Sequence, residues 1–433
     1  MSEAVQNYSP KEFSITSLDG QTIDLTNSIL SIDYFEDILD CSVSIIVKCI
    51  NKYNIVTNLP IRGGEKVRVD IETGFGEFNF LTDEDCFRVY KVSGMEGTRF
   101  AENFTLHLTT NEFFSNEIKR SFRKYTGKIS ESVKNILSND LGTSKFKDEN
   151  IEESANAYKF HGGMRKPFNV LQWLGPKTLS SRGGELDAEP KFPIARQEES
   201  KGTMGFFFYE NKEGFNFKSI DKLTELIGNS RNEEIFRYNY TGKIIKSAQL
   251  DNRFKIIDYS FDRNIDMRGS LRFGMFKNTT FLFNVEDNEV TVYNYDIKDQ
   301  ISNKKMTKQD GLSGPEDLIS QSSRILVRTT DNGIMSNAGG TENSGRNPTD
   351  YSKSGSRYNL LFTQALNILI PCNVNLKVGD VLHCEISELD SGRSTEPDKE
   401  ISGRYLIREL RHHFSATQNT TSLKLMRDSY GVN

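Results

Sequence analysis

No run approaching the roughly 18–20 consecutive apolar residues of a membrane helix occurs in this chain of 433 residues. Its start, MSEAVQNYSPKEF, has no apolar segment behind a positive cluster, so no secretory signal is expected. Tryptophan occurs once, at Trp173, which argues against a carbohydrate-binding surface built on several exposed aromatics. Cysteine is scarce: Cys41, Cys49, Cys86, Cys372 and Cys384 form an odd, scattered set of five. Cys49 and Cys384 fall at inward positions of alternating strands, so buried thiols from a reducing cytoplasm are expected rather than disulfides. Charge of one sign is lacking too. The net charge of −5 is small for this length and argues against a nucleic-acid binder, which is usually basic.

Catalytic signatures are missing as well. The chain has no G-x-S-x-G elbow, Walker A loop, complete G-x-G-x-x-G or H-E-x-x-H. Gly74-Phe-Gly76 begins like a dinucleotide turn, but Asn79 stands where the third glycine belongs, and the segment reads as a β-turn. Of the five histidines, His107 and His383 take polar-face strand positions, and adjacent His412 and His413 point to opposite faces of a strand. With His161 they form no ligand spacing, so neither a metal nor a cofactor is expected. Sixty acidic residues make carboxylate pairs inevitable, so no glycosidase pair stands out. Arg62, Lys66 and Arg68, and again Arg404, Arg408 and Arg411, are interspersed with Glu65, Asp70 and Glu409. That mixture suits a solvated or interface face better than a phosphate groove. Trp173, alone on a helix face, reads as core.

What is present is mostly strand. The length suggests two to four domains with real cores. Residues 1–112 read as a first β-module. Val43, Ile45, Val47 and Cys49 alternate with polar or outward residues, as do Val67, Val69 and Ile71, and Phe104, Leu106 and Leu108. Such strands close most simply as a small barrel or sandwich. Residues 113–202 change period. Ile129, Val133, Ile136, Leu137 and Leu141 share a helical face that Gly142 stops; Phe113, Phe114, Ile118 and Phe122 suggest a less regular helix. Pro167 opens another helix that Gly175-Pro176 should end or kink, and 182–202 reads as a loop. β-character returns in the hairpin Gly205–Tyr209 and Phe215–Phe217, placing the start of a second module at 203–240. Residues 241–355 read as a further insertion with strands near 255–261, 279–283 and 289–294 and a flexible loop at 332–356. Residues 356–433 complete the second, discontinuous module. The expected class is mainly β with α+β insertions, carrying two similar small β-barrels.

The two modules share a pattern. NLPIRGGEKVRVDI at 58–71 aligns without a gap on NVNLKVGDVLHCEI at 373–386, an offset of 315. Gly64 meets Gly379 and Glu65 meets Asp380, each pair leading into an alternating strand. FRVYKV at 87–92 then matches YLIREL at 405–410, offset 318, and TLHLTTNEF at 105–113 matches SLKLMRDSY at 422–430, offset 317. Three blocks in one order at nearly constant offset mark a duplicated module. Gly64, Glu65, Gly379 and Asp380 form its structural turn motif, and both glycines are expected at positive φ.

Four stretches carry a resemblance: Pro167–Leu174 (PFNVLQWL); Gly205-Phe through Glu213–Phe217; Leu376–Leu382 (LKVGDVL); and Gly403–Ile407 with Thr421–Leu425. With the duplicated module they resemble the baseplate hub subunits of T4-type contractile-tailed phages, kin to the hub part of VgrG spike proteins. The resemblance implies a homotrimer whose two barrels per chain make a pseudo-sixfold ring. Such a ring joins the hexameric tail tube to the trimeric central spike, contacts neighbouring baseplate proteins, and leaves a lumen for DNA passage. It implies a virion location at the tail baseplate after synthesis in the host cytoplasm. No enzymatic activity, specific nucleic-acid binding or membrane insertion is implied. Gly175-Pro176 and the 332–356 loop depart from the family's expected local shape. The alternatives are a cell-wall polysaccharide hydrolase and a carbohydrate-binding tail protein.

Overall fold

A computed structural model describes residues 8–51, 61–74, 76–97, 102–181, 204–224, 236–240, 252–263, 266–284, 289–297, 315–329, 350–387 and 397–428. Residues 58–60 and 429–430 of the aligned blocks, the expected loop 182–202 and residues 332–349 lie outside them. The first unit comprises β1 (Tyr8–Thr16), β2 (Thr22–Asp24), β3 (Ile29–Asp37), β4 (Ser44–Ile50), β5 (Lys66–Thr73), β6 (Gly76–Phe80), β7 (Phe87–Gly97) and β8 (Glu102–Thr109). Their order is β3-β4-β8-β7-β5-β1-β2, with β6 paired to β5. The second unit uses β13 (Arg237–Tyr240), β14 (Asp258–Arg263), β18 (Gln364–Pro371), β19 (Val381–Ile386), β20 (Gly403–Ser415) and β21 (Asn419–Arg427). Its order, β14-β18-β21-β20-β19-β13, repeats β3-β4-β8-β7-β5-β1 of the first, without counterparts of β2 and β6 among the described residues. Local register repeats as well. Val89 faces Leu108 and Ile407 faces Leu425, and each pair is followed by a bulge, at Tyr90 and at Arg408. The copies differ at the far edge: β1 runs antiparallel to β5, β13 parallel to β19.

The two expected barrels do not close. Among the described residues both units belong to one 14-stranded sheet. The reason is the length of β20, whose first residues pair with β19 while Glu409–Ser415 pair with β3 of the first unit. An edge used for extension is unavailable for closure. The apolar faces also merge. Val67, Val69 and Ile71 lie in the same buried cluster as Leu382, Cys384 and Ile386, so one core replaces the two separate cores expected from a pair of barrels.

Between the units sits a helical segment. It holds α1 (Asn111–Ile118), the short pair β9 (Lys124–Tyr125) and β10 (Phe160–His161), α2 (Ile129–Asn135) and α3 (Pro167–Leu174). A wider turn continues α2 to Leu141, and Gly142 caps it at φ +73°. Ile129, Val133, Leu137, Phe168 and Leu171 pack with Phe206, Phe208, Phe215 and Phe217 of a hairpin, β11 (Phe206–Asn211) and β12 (Gly214–Ser219). Phe207 and Tyr209 from the other face of β11 enter the main core. This hairpin, expected to open the second module, is a separate two-stranded layer because both its faces are buried by different clusters. Trp173 is not enclosed as core: its partly buried ring is covered by the Arg165 guanidinium at 4.4 Å and the Lys177 ammonium at 4.1 Å.

A short helix, α4 (Ile220–Thr224), follows the hairpin. The second insertion lies between β14 and β18. It contains α5 (Met267–Phe273), β15 (Lys277–Asn284), β16 (Glu289–Asp296), α6 (Glu316–Ile319), β17 (Arg324–Thr329) and α7 (Asp350–Leu361). β15 is central, antiparallel to β16 and parallel to β17. Met275, Phe276, Tyr295, Ile319 and Leu360 form its own small core, against which Met267 and Leu271 of α5 pack. Two expectations are corrected here. β14 was placed inside the insertion but pairs with β18 in the main sheet. Residues 350–356, read as flexible loop, are the first half of α7, where Ser352, Ser354 and Ser356 are buried and Thr280 Oγ1 meets Ser352 Oγ at 3.2 Å.

Candidate functional site

The paired turns have matching geometry. Gly64 has φ +95° and Gly379 φ +93°. The Gly64 N–H donates to the Val89 carbonyl at 2.7 Å, and the Gly379 N–H donates to the Ile407 carbonyl at 3.1 Å. The acidic neighbours answer each other too: Glu65 Oε1 accepts from the Arg62 N–H at 2.6 Å, and Asp380 Oδ2 from the Lys377 N–H at 3.2 Å. Burial pushes the Asp380 carboxyl up to about 6. The turns differ in surroundings. A Cβ on Gly379 would lie 2.4 Å from the Tyr209 hydroxyl, whereas one on Gly64 meets only Leu18 Cδ2 at 3.8 Å. Alanine at Gly64 should therefore cost about 1–2 kcal/mol through backbone strain alone. Gly379→Ala should cost more, because buried Tyr209 must also move. Urea midpoints of the two variants check the ranking; costs for both below about 0.5 kcal/mol, the level of neutral surface changes, would remove this account of the turns.

A buried carboxylate joins three elements. Glu36 is 2% exposed at the end of β3. Its Oε1 accepts from the Tyr34 hydroxyl at 2.7 Å and from the Lys212 N–H at 2.7 Å, while Oε2 accepts from the Val378 N–H at 2.8 Å. First unit, hairpin turn and second-unit turn thus share one side chain. Burial pushes this carboxyl up to about 7, against the pull of its three donors. The sequence reading missed it, although a signal existed: Glu36 continues the inward phase of Ile32 and Tyr34. A carboxylate in that phase must be hydrogen-bonded to be tolerated.

The histidine pair splits across the sheet. His412 is fully buried, with Nδ1 2.8 Å from Thr421 Oγ1, and burial holds it down to about 3. His413 faces outward and meets Asp33 at 2.6 Å, which Arg411 also contacts at 2.8 Å. These last contacts lie on the joint itself, where β20 and β3 pair antiparallel from Glu409↔Asp37 to Ser415↔Ser31. A groove of about 760 Å³ crosses the joint, lined by Phe35, Asp37, Asp258, Glu409, Arg411 and Lys424 among others. Lys66 and Arg68 lie elsewhere and pair with Asp83, each at 2.9 Å.

Two of the open strand edges among the described residues match the edges that form the joint. β14 ends the sheet, paired only with β18. β7 pairs with β5 only through Phe87 and Arg88, leaving the outer edge of its remaining length open. These edges are the counterparts of the two that form the joint. β7 corresponds to β20, and β14 to β3, since Tyr34 faces Ile45 on β4 as Phe261 faces Leu366 on β18. Open edges normally invite pairing.

No protein-family profile matches the chain. A protein described as "Probable baseplate hub protein gp334", from Vibrio phage KVP40, is 22% identical over 432 residues, spanning 98% of this chain and 95% of that one. Among solved structures, a tail protein from Neisseria meningitidis MC58 matches 98% of this chain and 97% of its own, with a TM-score of 0.54 at 11% identity. The 43 kDa tail protein of prophage MuSo2 from Shewanella oneidensis matches 96% and 98%, with a TM-score of 0.50 at 9% identity. This chain is therefore similar, over nearly its whole length, to the phage baseplate hub protein, and it has the fold of phage tail proteins.

Proposed function

We propose that three copies of this chain close into a ring of six similar sheet units at the axial hub of a contractile tail. The ring joins a sixfold tail tube to a threefold spike, contacts neighbouring baseplate proteins and leaves a lumen for DNA. One observation carries the reading: the joint inside the chain has two unused counterparts. If β7 of one copy meets β14 of the next as β20 meets β3, the same antiparallel joint recurs around the circle. Three chains of two units then give pseudo-sixfold symmetry, with the edges of β7 and β14 both covered. Charge agrees, since Lys91 is exposed on β7 while Asp258 and Asp262 are exposed on β14. The groove lining, with Asp37, Asp40, Asp258 and Glu409 against Arg411 and Lys424, offers no basic track that would hold passing DNA. The role is structural rather than enzymatic, in keeping with the relative's description as a baseplate hub protein.

The register of the inner joint, Arg411↔Phe35, translates to Ser93 opposite Asp262 of the neighbour. Cysteines at both positions should give covalent trimers under oxidation or with a short bis-maleimide, the five native cysteines being buried. A permanent interface of this kind is expected to bury more than about 2,000 Å². Light scattering of the purified chain, alone and with a co-expressed spike protein, reads the assembly directly. A stable monomer under both conditions, or a ring of six chains, would sink the proposal. A cleared band on peptidoglycan zymography would instead favour the hydrolase.

A further inference from the structure

Two apolar surfaces stand at the same rim of the sheet, one beside each open edge. The first is built by α1, which is inside out. Its buried residues are polar: Glu112 accepts from Thr143 Oγ1 at 2.9 Å, and Asn116 Oδ1 accepts from the Phe168 N–H at 2.9 Å. Its outward residue Ile118 is 79% exposed, and the Phe113 ring lies 6.1 Å from that of Tyr90, itself exposed at the bulge of β7. The second surface is the outer face of the β16-β15-β17 sheet. Val292 and Val327 flank Phe281 in one cross-strand row, with Ile325 in the next. Val327 is 75% and Ile325 67% exposed. One-sided sheets ordinarily turn a polar face to water, and contiguous exposed apolar surface marks an interaction site.

The inner joint indicates what covers them. Glu409 pairs with Asp37 at the rim, immediately before the chain leaves β3. Carried to the β7–β14 joint, this register brings Val92 opposite Arg263, the last residue of β14 before the second insertion. That insertion therefore starts beside Tyr90 and Phe113 of the next copy. Opposite charges are available to such a contact: Glu316 and Asp317 are exposed on α6, and Arg120, Arg123 and Lys124 are exposed near Ile118, alongside Glu117. We infer that the apolar outer face of the β15–β17 insertion docks on the Tyr90–Phe113–Ile118 surface of the neighbouring copy. This contact rests on the ring reading and gives each subunit boundary a lock that the inner joint lacks. Inside the chain, the turn at 38–43 is short and the helical segment covers it, with Gln172 Nε2 donating to the Leu39 carbonyl at 3.2 Å.

The test uses the full chain carrying Ile118→Lys, Val327→Asp or both, each with and without the Ser93→Cys and Asp262→Cys pair. Both docking positions are exposed, so the fold should survive; circular dichroism checks this. Each single variant is expected to raise the concentration at which trimers dissociate by at least about tenfold, a 1.4 kcal/mol loss, and the double variant should recover part of it. Unchanged association in both singles, with the Ser93–Asp262 link still forming, overturns the docking contact, leaves the ring standing and assigns the apolar face to a partner other than a second copy. Absence of both the link and the trimer in the cysteine-pair chain with Ile118 and Val327 intact overturns the ring reading and this inference together.

Discussion

Replacing Glu36 by Leu should lower the unfolding free energy by about 3–6 kcal/mol. The carboxylate accepts from the Tyr34 hydroxyl and from the Lys212 and Val378 N–H groups, and leucine offers none of them a partner. Each buried donor left unsatisfied costs about 1–3 kcal/mol. Some of that loss is offset, because burial already works against the ionised carboxyl and pushes it up to about 7. Glu36→Gln keeps an acceptor oxygen but turns an amide N–H₂ toward one of the donors, so its cost should fall between wild type and Leu. Urea unfolding followed by fluorescence gives both values. A loss under about 1 kcal/mol for the leucine variant would mean that the three elements hold together without this side chain. Because both units share one buried core, the transition should remain single rather than split.

Arg357→Ala should cost a further 3–5 kcal/mol or so by a different route. The guanidinium is 2% exposed on α7, with Nη1 2.9 Å from Asp428 Oδ2 and Nη2 3.1 Å from Asp221 Oδ1. Asp428 is completely buried. Removing the cation strands that carboxylate in low dielectric, whereas removing both charges together leaves only the less buried Asp221 without its guanidinium. The pair Arg357→Met and Asp428→Leu should therefore be clearly less damaging than the sum of its single changes. A double-mutant cycle on thermal or urea unfolding measures this coupling. Additive losses would show that the two groups act separately. Arg357→Lys should not rescue, since an ammonium cannot span two carboxylates as a planar fork does.

Legibility in the sequence followed the range of the interactions involved. Alternation exposed Val43–Cys49 and Val67–Ile71 as strands, and the glycine before an acidic residue marked both turns, because each is a property of neighbouring residues. The helix stop at Gly142 was visible for the same reason. The continuity of the sheet was not, since it depends on Glu409–Ser415 finding a strand more than 370 residues away. Nothing in the local period of β20 distinguishes an edge that closes a barrel from one that extends a neighbour. α1 misled for a different reason. Its phenylalanines imitate a core-facing stripe, yet Glu112 and Asn116 take the inner face because Thr143, Lys145 and the start of α3 supply their hydrogen bonds. β14 was assigned to the wrong layer because a six-residue strand carries no mark of its sheet.

The uninterrupted ladder between the two units has a mechanical consequence. Seven residue pairs, from Glu409↔Asp37 to Ser415↔Ser31, connect them through main-chain bonds lying across the strands. A pull that slides one unit past the other along these strands strains the whole ladder at once, in shear. A pair of domains tethered by a linker would instead peel open bond by bond. The joint consequently behaves as a stiff seam, and a force applied along the strands of one unit passes to the other with little give.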